Sequence, residues 1–150
     1  MSSLKPGQPA PEFELPDQDG ALVRLSQFRG KSAVVIFFYP KDDTTGCTKE
    51  VCGFRDSFHE FESKGARILG ISSDSCDSHR RFAARFDLQY PLLSDEKGRV
   101  RALYGVRSTL GIIPGGASFV VDRDGVLRNI FSSQFWPERH VEEALKALRP

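Results

Sequence analysis

Two cysteines, Cys47 and Cys52, stand five positions apart in the stretch YPKDDTTGCTKEVCGFRD, residues 39–56. A cysteine does nucleophilic or redox chemistry as the thiolate, and a free thiol with a pKa near ~8.5 is mostly protonated at neutral pH. The residues in front of Cys47 offer a way to change that. An apolar run ends at Pro40, a polar loop follows, and Thr44 or Thr45 can cap a helix carrying Cys47 in its first turn. Unpaired amides and the helix dipole favour negative charge there. Gly46 lets the backbone approach closely.

The spacing restricts what the two thiols can do together. Five residues along an ideal helix give a rise of about 7.5 Å and a rotation of about 140°, so the Cα atoms lie roughly 8 to 9 Å apart. A disulfide tolerates about 7 Å without backbone movement. A Cys47–Cys52 bond therefore requires the first turns to unwind, which suits a transient catalytic disulfide better than a structural staple. Two other readings stay open on spacing alone. Both cysteines can be small buried hydrophobes. Alternatively, Cys47, Cys52, Cys76 and His79 can form a zinc set, against which stand the wide C-x4-C spacing and its helical setting.

The surrounding elements must hold this stretch in place. Ala33 to Tyr39 is a continuous apolar, β-branched and aromatic run, which predicts a central strand covered on both faces and ended by Pro40. Val51, Phe54, Phe58 and Phe61 recur at steps of three and four, predicting one helix from about Cys47 to Lys64, stopped by Gly65. Upstream, Phe13-Leu15 and Leu22-Arg24 flank the turn DQDG. Downstream come a buried strand in ARILGISSD, a helix in SHRRFAARFDL, an extended piece in YPLLSD and a short helix in RVRALYGV. A hairpin turns at Asp122-Gly125, and a last helix from Pro137 buries Val141, Leu145 and Leu148. This order implies an α/β fold, a thioredoxin-like three-layer sandwich with a central mixed sheet, in one domain over residues 1–150.

The charge balance limits the partners. With 21 basic and 20 acidic residues, the formal charge of +1 carries no nucleic-acid stripe and no membrane-binding surface. The longest apolar run is far too short to span a bilayer. The N-terminal MSSLKPGQPAPEF has neither a signal core nor an Arg-rich amphipathic stretch, which reads as cytoplasmic, or else as an organellar form after removal of a transit segment. Three cysteines are too few for a secreted disulfide scaffold.

Pro40-x-x-x-Thr44-x-x-Cys47 matches the P-x-x-x-[TS]-x-x-C signature of peroxiredoxins. With CTKEVCGFRD following, the stretch resembles the peroxiredoxin Q, or bacterioferritin comigratory protein, subfamily, whose second cysteine comes five residues after the first. GISSDSCDSHRRFA, YPLLSDEKG, LYGV, SFVVDRDG and FWPERHVEEALKAL are similar to segments of that subfamily, so the likeness covers roughly residues 4 to 148. The ending is most like its plant and cyanobacterial branch.

The resemblance implies a peroxidatic Cys47 and a resolving Cys52 in an atypical two-cysteine peroxidase, re-reduced by thioredoxin or a similar dithiol. Its substrates would be hydrogen peroxide and small organic hydroperoxides, with no metal or organic cofactor and a monomeric state. Thr44 would present its hydroxyl to the sulfur, Pro40 would shield it from water, and Glu50 would pair with an active-site arginine. That arginine is missing: its place in IPGGASFVVD is taken by Gly116. Arg107 and Arg123 are the candidates to reach in, whereas Arg55 lies two helical turns from Cys47. The gap keeps two alternatives in view: a thiol–disulfide oxidoreductase, against which stands the lack of C-x-x-C, and a low-activity redox sensor or binding module. Cys76 reads as an incidental thiol, or as an alternative resolving or regulatory one. His59, His79 and His140 read as helix-surface residues.

Overall fold

The structure is a computed structural model, and it describes residues 4–106, 116–133 and 137–148. The chain opens with a hairpin of Glu14–Pro16 (β1) and Leu22–Arg24 (β2), followed by a 3-10 turn at Leu25–Phe28. Then come Ala33–Phe38 (β3), Thr45–Asp56 (α1), Phe58–Ser63 (α2), Ala66–Ser72 (β4) and Cys76–Arg85 (α3). Leu92–Ser94 (β5), Arg99–Leu103 (α4), Gly116–Val121 (β6), Leu127–Ser133 (β7) and Pro137–Ala147 (α5) complete it.

The five-stranded sheet runs β5-β4-β3-β6-β7, with β3 parallel to β4 and antiparallel to β6. The mixed sheet expected from the element order is present. All six residues of β3 are buried, because both faces of this strand are covered. The period of two sorts its side chains. Val34, Ile36 and Phe38 enter one core with the β1–β2 hairpin and with Val100 and Tyr104 of α4. Val35, Phe37 and Tyr39 enter the other, with Cys47, Val51 and Phe54 of α1, Phe61 of α2, Phe82 of α3 and Val141 of α5. Phe37 stacks on Phe54 at 4.5 Å between ring centroids, which fixes α1 over the end of β3.

The single helix expected over 47–64 is two. Ser57, at φ −101° and ψ 10°, interrupts the helical backbone. The bend is tight: the Ser57 amide still donates to the Gly53 carbonyl at 3.2 Å, and Phe61 donates to the Ser57 carbonyl at 3.1 Å. It lets Phe54 and Phe61 share one core, with ring centroids 5.6 Å apart, as the chain wraps over the sheet.

Candidate active site

β3 ends at Phe38, and the extended chain continues one residue further, with the Tyr39 amide donating to the Ile71 carbonyl at 3.0 Å. Half-buried Pro40 then turns the chain into a loop in which Asp43 takes a positive φ of 64°. Thr44 is the N-cap of α1, with extended backbone, and its carbonyl accepts from the Thr48 amide at 2.8 Å. Its side chain does not cap the helix. The hydroxyl lies 3.2 Å from the Lys41 carbonyl oxygen and also hydrogen-bonds the Cys47 thiol. A hydroxyl carries a single proton, so the thiolate and the Lys41 carbonyl are alternative acceptors for it.

Cys47 is the third residue of α1 and only 6% exposed. Burial pushes its thiol above the ordinary value; the Thr44 hydroxyl and the Lys41 amide pull it down; the charges of Glu50 and Asp42 push it up again. The net direction is upward. The helix terminus alone suggests a depressed value, but burial beside two carboxylates outweighs it. Cys52 is half-buried and also shifted up, by burial and by Asp56, against a downward pull from Arg55. Arg55 serves this second thiol rather than the first, held by Asp56 at 3.0 Å and by the Phe86 carbonyl at 3.0 Å. All three thiols are free.

Glu50 shares the buried side of α1 with Cys47. Its Oε2 lies 3.5 Å from Nδ1 of His140, which is 1% exposed and 2.5 Å from Ser118 Oγ. No hydrogen bond reaches Oε2 among the described residues, and burial raises the Glu50 carboxyl well above its ordinary range. Gly116 closes the other side. A Cβ there would stand 2.7 Å from the Phe38 carbonyl oxygen and 2.8 Å from Glu50 Oε1. The position where the resemblance expects an arginine is thus packed against backbone.

His79 and His140 are buried, not surface residues; His59 is exposed. His79 is fully enclosed, with Nδ1 2.8 Å from Asp42 Oδ2 and Nε2 3.1 Å from the Leu93 carbonyl oxygen. Tyr39 and Ser78 donate to the same Asp42 carboxylate at 2.6 and 2.8 Å. Burial pushes Asp42 up, but these hydrogen bonds and the His79 charge hold it below its ordinary value. The Asp42 amide donates to Asp74 Oδ2 at 2.8 Å, so this network ties the loop before Cys47 to the start of α3.

Asp42, Asp74 and His79 are also the group of three metal-type ligands that the described residues bring together. Both ring nitrogens of His79 already face oxygen acceptors and Asp74 also accepts from Ser72 at 2.6 Å, so the donor set is spent inside the protein. The zinc set of three cysteines and His79 is not assembled among these residues.

Of the two arginines expected to reach in, Arg107 lies outside the described residues. Arg123 places Nη2 where a side chain on Gly65 would meet it at 2.9 Å, at the opposite end of β3. The arginine that does approach is one the sequence reading passes over. Arg101, in the last turn of the short α4, donates from Nη2 to the Tyr39 carbonyl oxygen at 3.0 Å.

The model of the AhpC/TSA family matches residues 6–130. The chain is similar to a chloroplastic peroxiredoxin Q of Suaeda salsa, 47% identical over 99% of this chain and 70% of the relative. Among solved structures it is similar to the peroxidoxin BcpB of Mycobacterium tuberculosis, 42% identical with a TM-score of 0.91 over 98% of this chain and 97% of that one. It is also similar to the Xanthomonas campestris bacterioferritin comigratory protein, solved in a study of its alkyl peroxide reduction, at 30% identity and a TM-score of 0.79 over 90% of each chain.

Proposed function

The chain belongs to the AhpC/TSA family as a peroxiredoxin of the Q type, and from that membership we propose that Cys47 is its peroxidatic residue and Cys52 its resolving one. The protein is a thiol-dependent peroxidase acting on hydroperoxides with a thioredoxin-type dithiol as reductant. One observation carries the residue assignment: a buried thiol at the start of a helix, with the Thr44 hydroxyl and the Lys41 amide on its sulfur.

The thiolate of Cys47 attacks the terminal peroxide oxygen. An S–O bond forms, the O–O bond breaks, and the leaving alkoxide or hydroxide takes a proton from solvent, giving sulfenic acid and an alcohol or water. The Cys52 thiolate then attacks the sulfenic sulfur; an S–S bond forms and the oxygen departs with a proton as water. An external dithiol restores both thiols by exchange. Thr44 donates to the thiolate in the first step, Pro40 walls the sulfur from solvent, and burial, with smaller contributions from Glu50 and Asp42, sets the cost of ionising it. The disulfide requires α1 to unwind locally, since both cysteines stand in one regular helix in the reduced form.

The chain acts as one domain over residues 1–150 and as a monomer, without nucleic acid or membrane partners, a reading its near-neutral charge supports. Among the described residues no helix is long and apolar enough to cross a membrane. Of the two compartments in view, the chloroplastic relative favours the organellar one. A coupled assay with thioredoxin, its reductase and NADPH tests the function. Turnover of hydrogen peroxide and of an alkyl hydroperoxide, abolished in C47S, is expected; insulin reduction without peroxide turnover would instead make the protein a disulfide oxidoreductase.

A further inference from the structure

A buried thiol beside two carboxylates needs a nearby cation, and position 116 cannot supply it. Among the described residues several arginines are paired elsewhere: Arg55 by Asp56 and the Phe86 carbonyl, Arg85 by Asp43, Arg128 by Asp122. Lys41 and Lys49 are exposed. Arg101 is half-buried and differently placed. The start of α4 is held by the buried Asp95 carboxylate, which accepts from the Val100 amide at 3.2 Å and the Arg101 amide at 2.9 Å. Asp95 is itself tied to β4 through its amide and the Ser72 carbonyl at 2.8 Å. From this fixed backbone the Arg101 side chain reaches the Tyr39 carbonyl.

Tyr39 and Lys41 flank Pro40. The Tyr39 carbonyl holds the guanidinium, while the Lys41 amide is the backbone group that acts on the Cys47 sulfur, lowering the thiol's pKa. With consecutive Cα atoms 3.8 Å apart, those two backbone groups are within about 6 Å of each other. The guanidinium and the sulfur therefore stand at opposite ends of one proline unit. Burial lowers the Arg101 pKa, and the charges of Asp95 and then of Cys47 pull it back up.

We propose that Arg101, anchored on the Tyr39 carbonyl, is the positive charge of the peroxidatic site, stabilising the Cys47 thiolate before attack and the negative oxygen that leaves it. The role expected of position 116 is filled from α4, on the opposite face of the sheet from α1. An arginine remains charged throughout the working pH range, and four further N–H donors remain on a guanidinium that gives one to a carbonyl. This inference rests on the peroxidase reading of Cys47.

The test compares wild type, R101Q and R101K in two readouts. One is the pH midpoint of Cys47 alkylation, read by peptide mass spectrometry; the other is the rate of Cys47–Cys52 disulfide formation after one equivalent of hydrogen peroxide at pH 7. R101Q is expected to raise the midpoint by about one pH unit and to slow oxidation about tenfold, the two being the same factor. R101K keeps the charge and is expected to keep the wild-type midpoint. A wild type that reacts and an R101Q that matches it in both readouts would overturn the inference alone. An R101K midpoint displaced upward would also overturn it, by making the effect structural, and this comparison decides the matter should R101Q not fold. A wild type that forms no disulfide would overturn the peroxidase reading instead.

Discussion

The Glu50 carboxylate of α1 faces the His140 imidazole of α5 across 3.5 Å, with both side chains buried. The two helices are close here: a side chain on Gly53 would stand 3.2 Å from Val141 Cγ2. The seat of α5 therefore lies directly against the segment of α1 that carries Cys52.

Removing His140 is expected to cost stability. H140A leaves a cavity between β6, β7 and α5 and takes away the partner of Ser118 Oγ, so a loss of about 2 to 4 kcal/mol is predicted from urea unfolding. A loss below half a kcal/mol would mean that α5 is seated by its apolar contacts alone.

Glu50 gives a pH dependence of definite sign. Burial raises its folded-state pKa well above the ordinary 4.5. The fold thus favours the protonated acid. Its contribution is present in full below the unfolded value and is lost as pH rises through the raised one. E50Q mimics the neutral acid, so E50Q should gain stability relative to wild type as pH rises from 4 to 8. Melting temperatures at several pH values give the answer, and a constant difference would show that Glu50 is not displaced. At a pH high enough to ionise Glu50, the same substitution removes a charge that raises the Cys47 pKa, so the alkylation midpoint should fall.

Thr44 should act on the rate rather than on the fold. T44V removes a hydroxyl that donates to a charged sulfur, an interaction of about 1.5 to 3 kcal/mol, or roughly 10- to 150-fold in oxidation rate. T44S should recover most of it. Because Cys47 is shifted upward, the wild-type rate should climb with pH from 6 to 9 without levelling off at neutrality. A flat profile across that range would show a thiol already ionised.

Gly116 should resist enlargement. A Cβ 2.7 Å from the Phe38 carbonyl oxygen must move backbone, not a flexible side-chain tip. G116A is predicted to destabilise by about 1 to 3 kcal/mol. G116R should carry the same cost without raising the peroxide rate, and a faster G116R would return the missing charge to its expected strand.

The parts of this site legible in the sequence are those that local pattern controls. The apolar run of β3, the stop at Pro40 and the polar loop before Cys47 place the thiol at a strand end and a helix start without tertiary information. The β6–β7 hairpin is equally local, since its turn residues determine it. What escapes is set by distant partners. The break at Ser57 answers to curvature over the sheet, for which the three-and-four spacing of the phenylalanines has no mark. His79 is buried because Asp42 and the Leu93 carbonyl, far away in sequence, satisfy it. Its position four residues before Ala83 and three before Phe82, both buried, is the periodic signal that would have placed it inside. Arg101 carries no motif; it becomes visible only when α4 and the end of β3 are seen together.

The proposed roles, Cys47 reducing the peroxide and Cys52 resolving the sulfenic acid that forms, meet in a single experiment. The direct measurement is to add one equivalent of hydrogen peroxide to the reduced protein, quench within seconds and map the cysteines by mass spectrometry, with C52S in parallel. A Cys47–Cys52 disulfide is expected in the wild type, a Cys47 sulfenic acid in C52S and an unmodified Cys76 in both. Unchanged thiols at 47 and 52, or oxidation confined to Cys76, would contradict these roles.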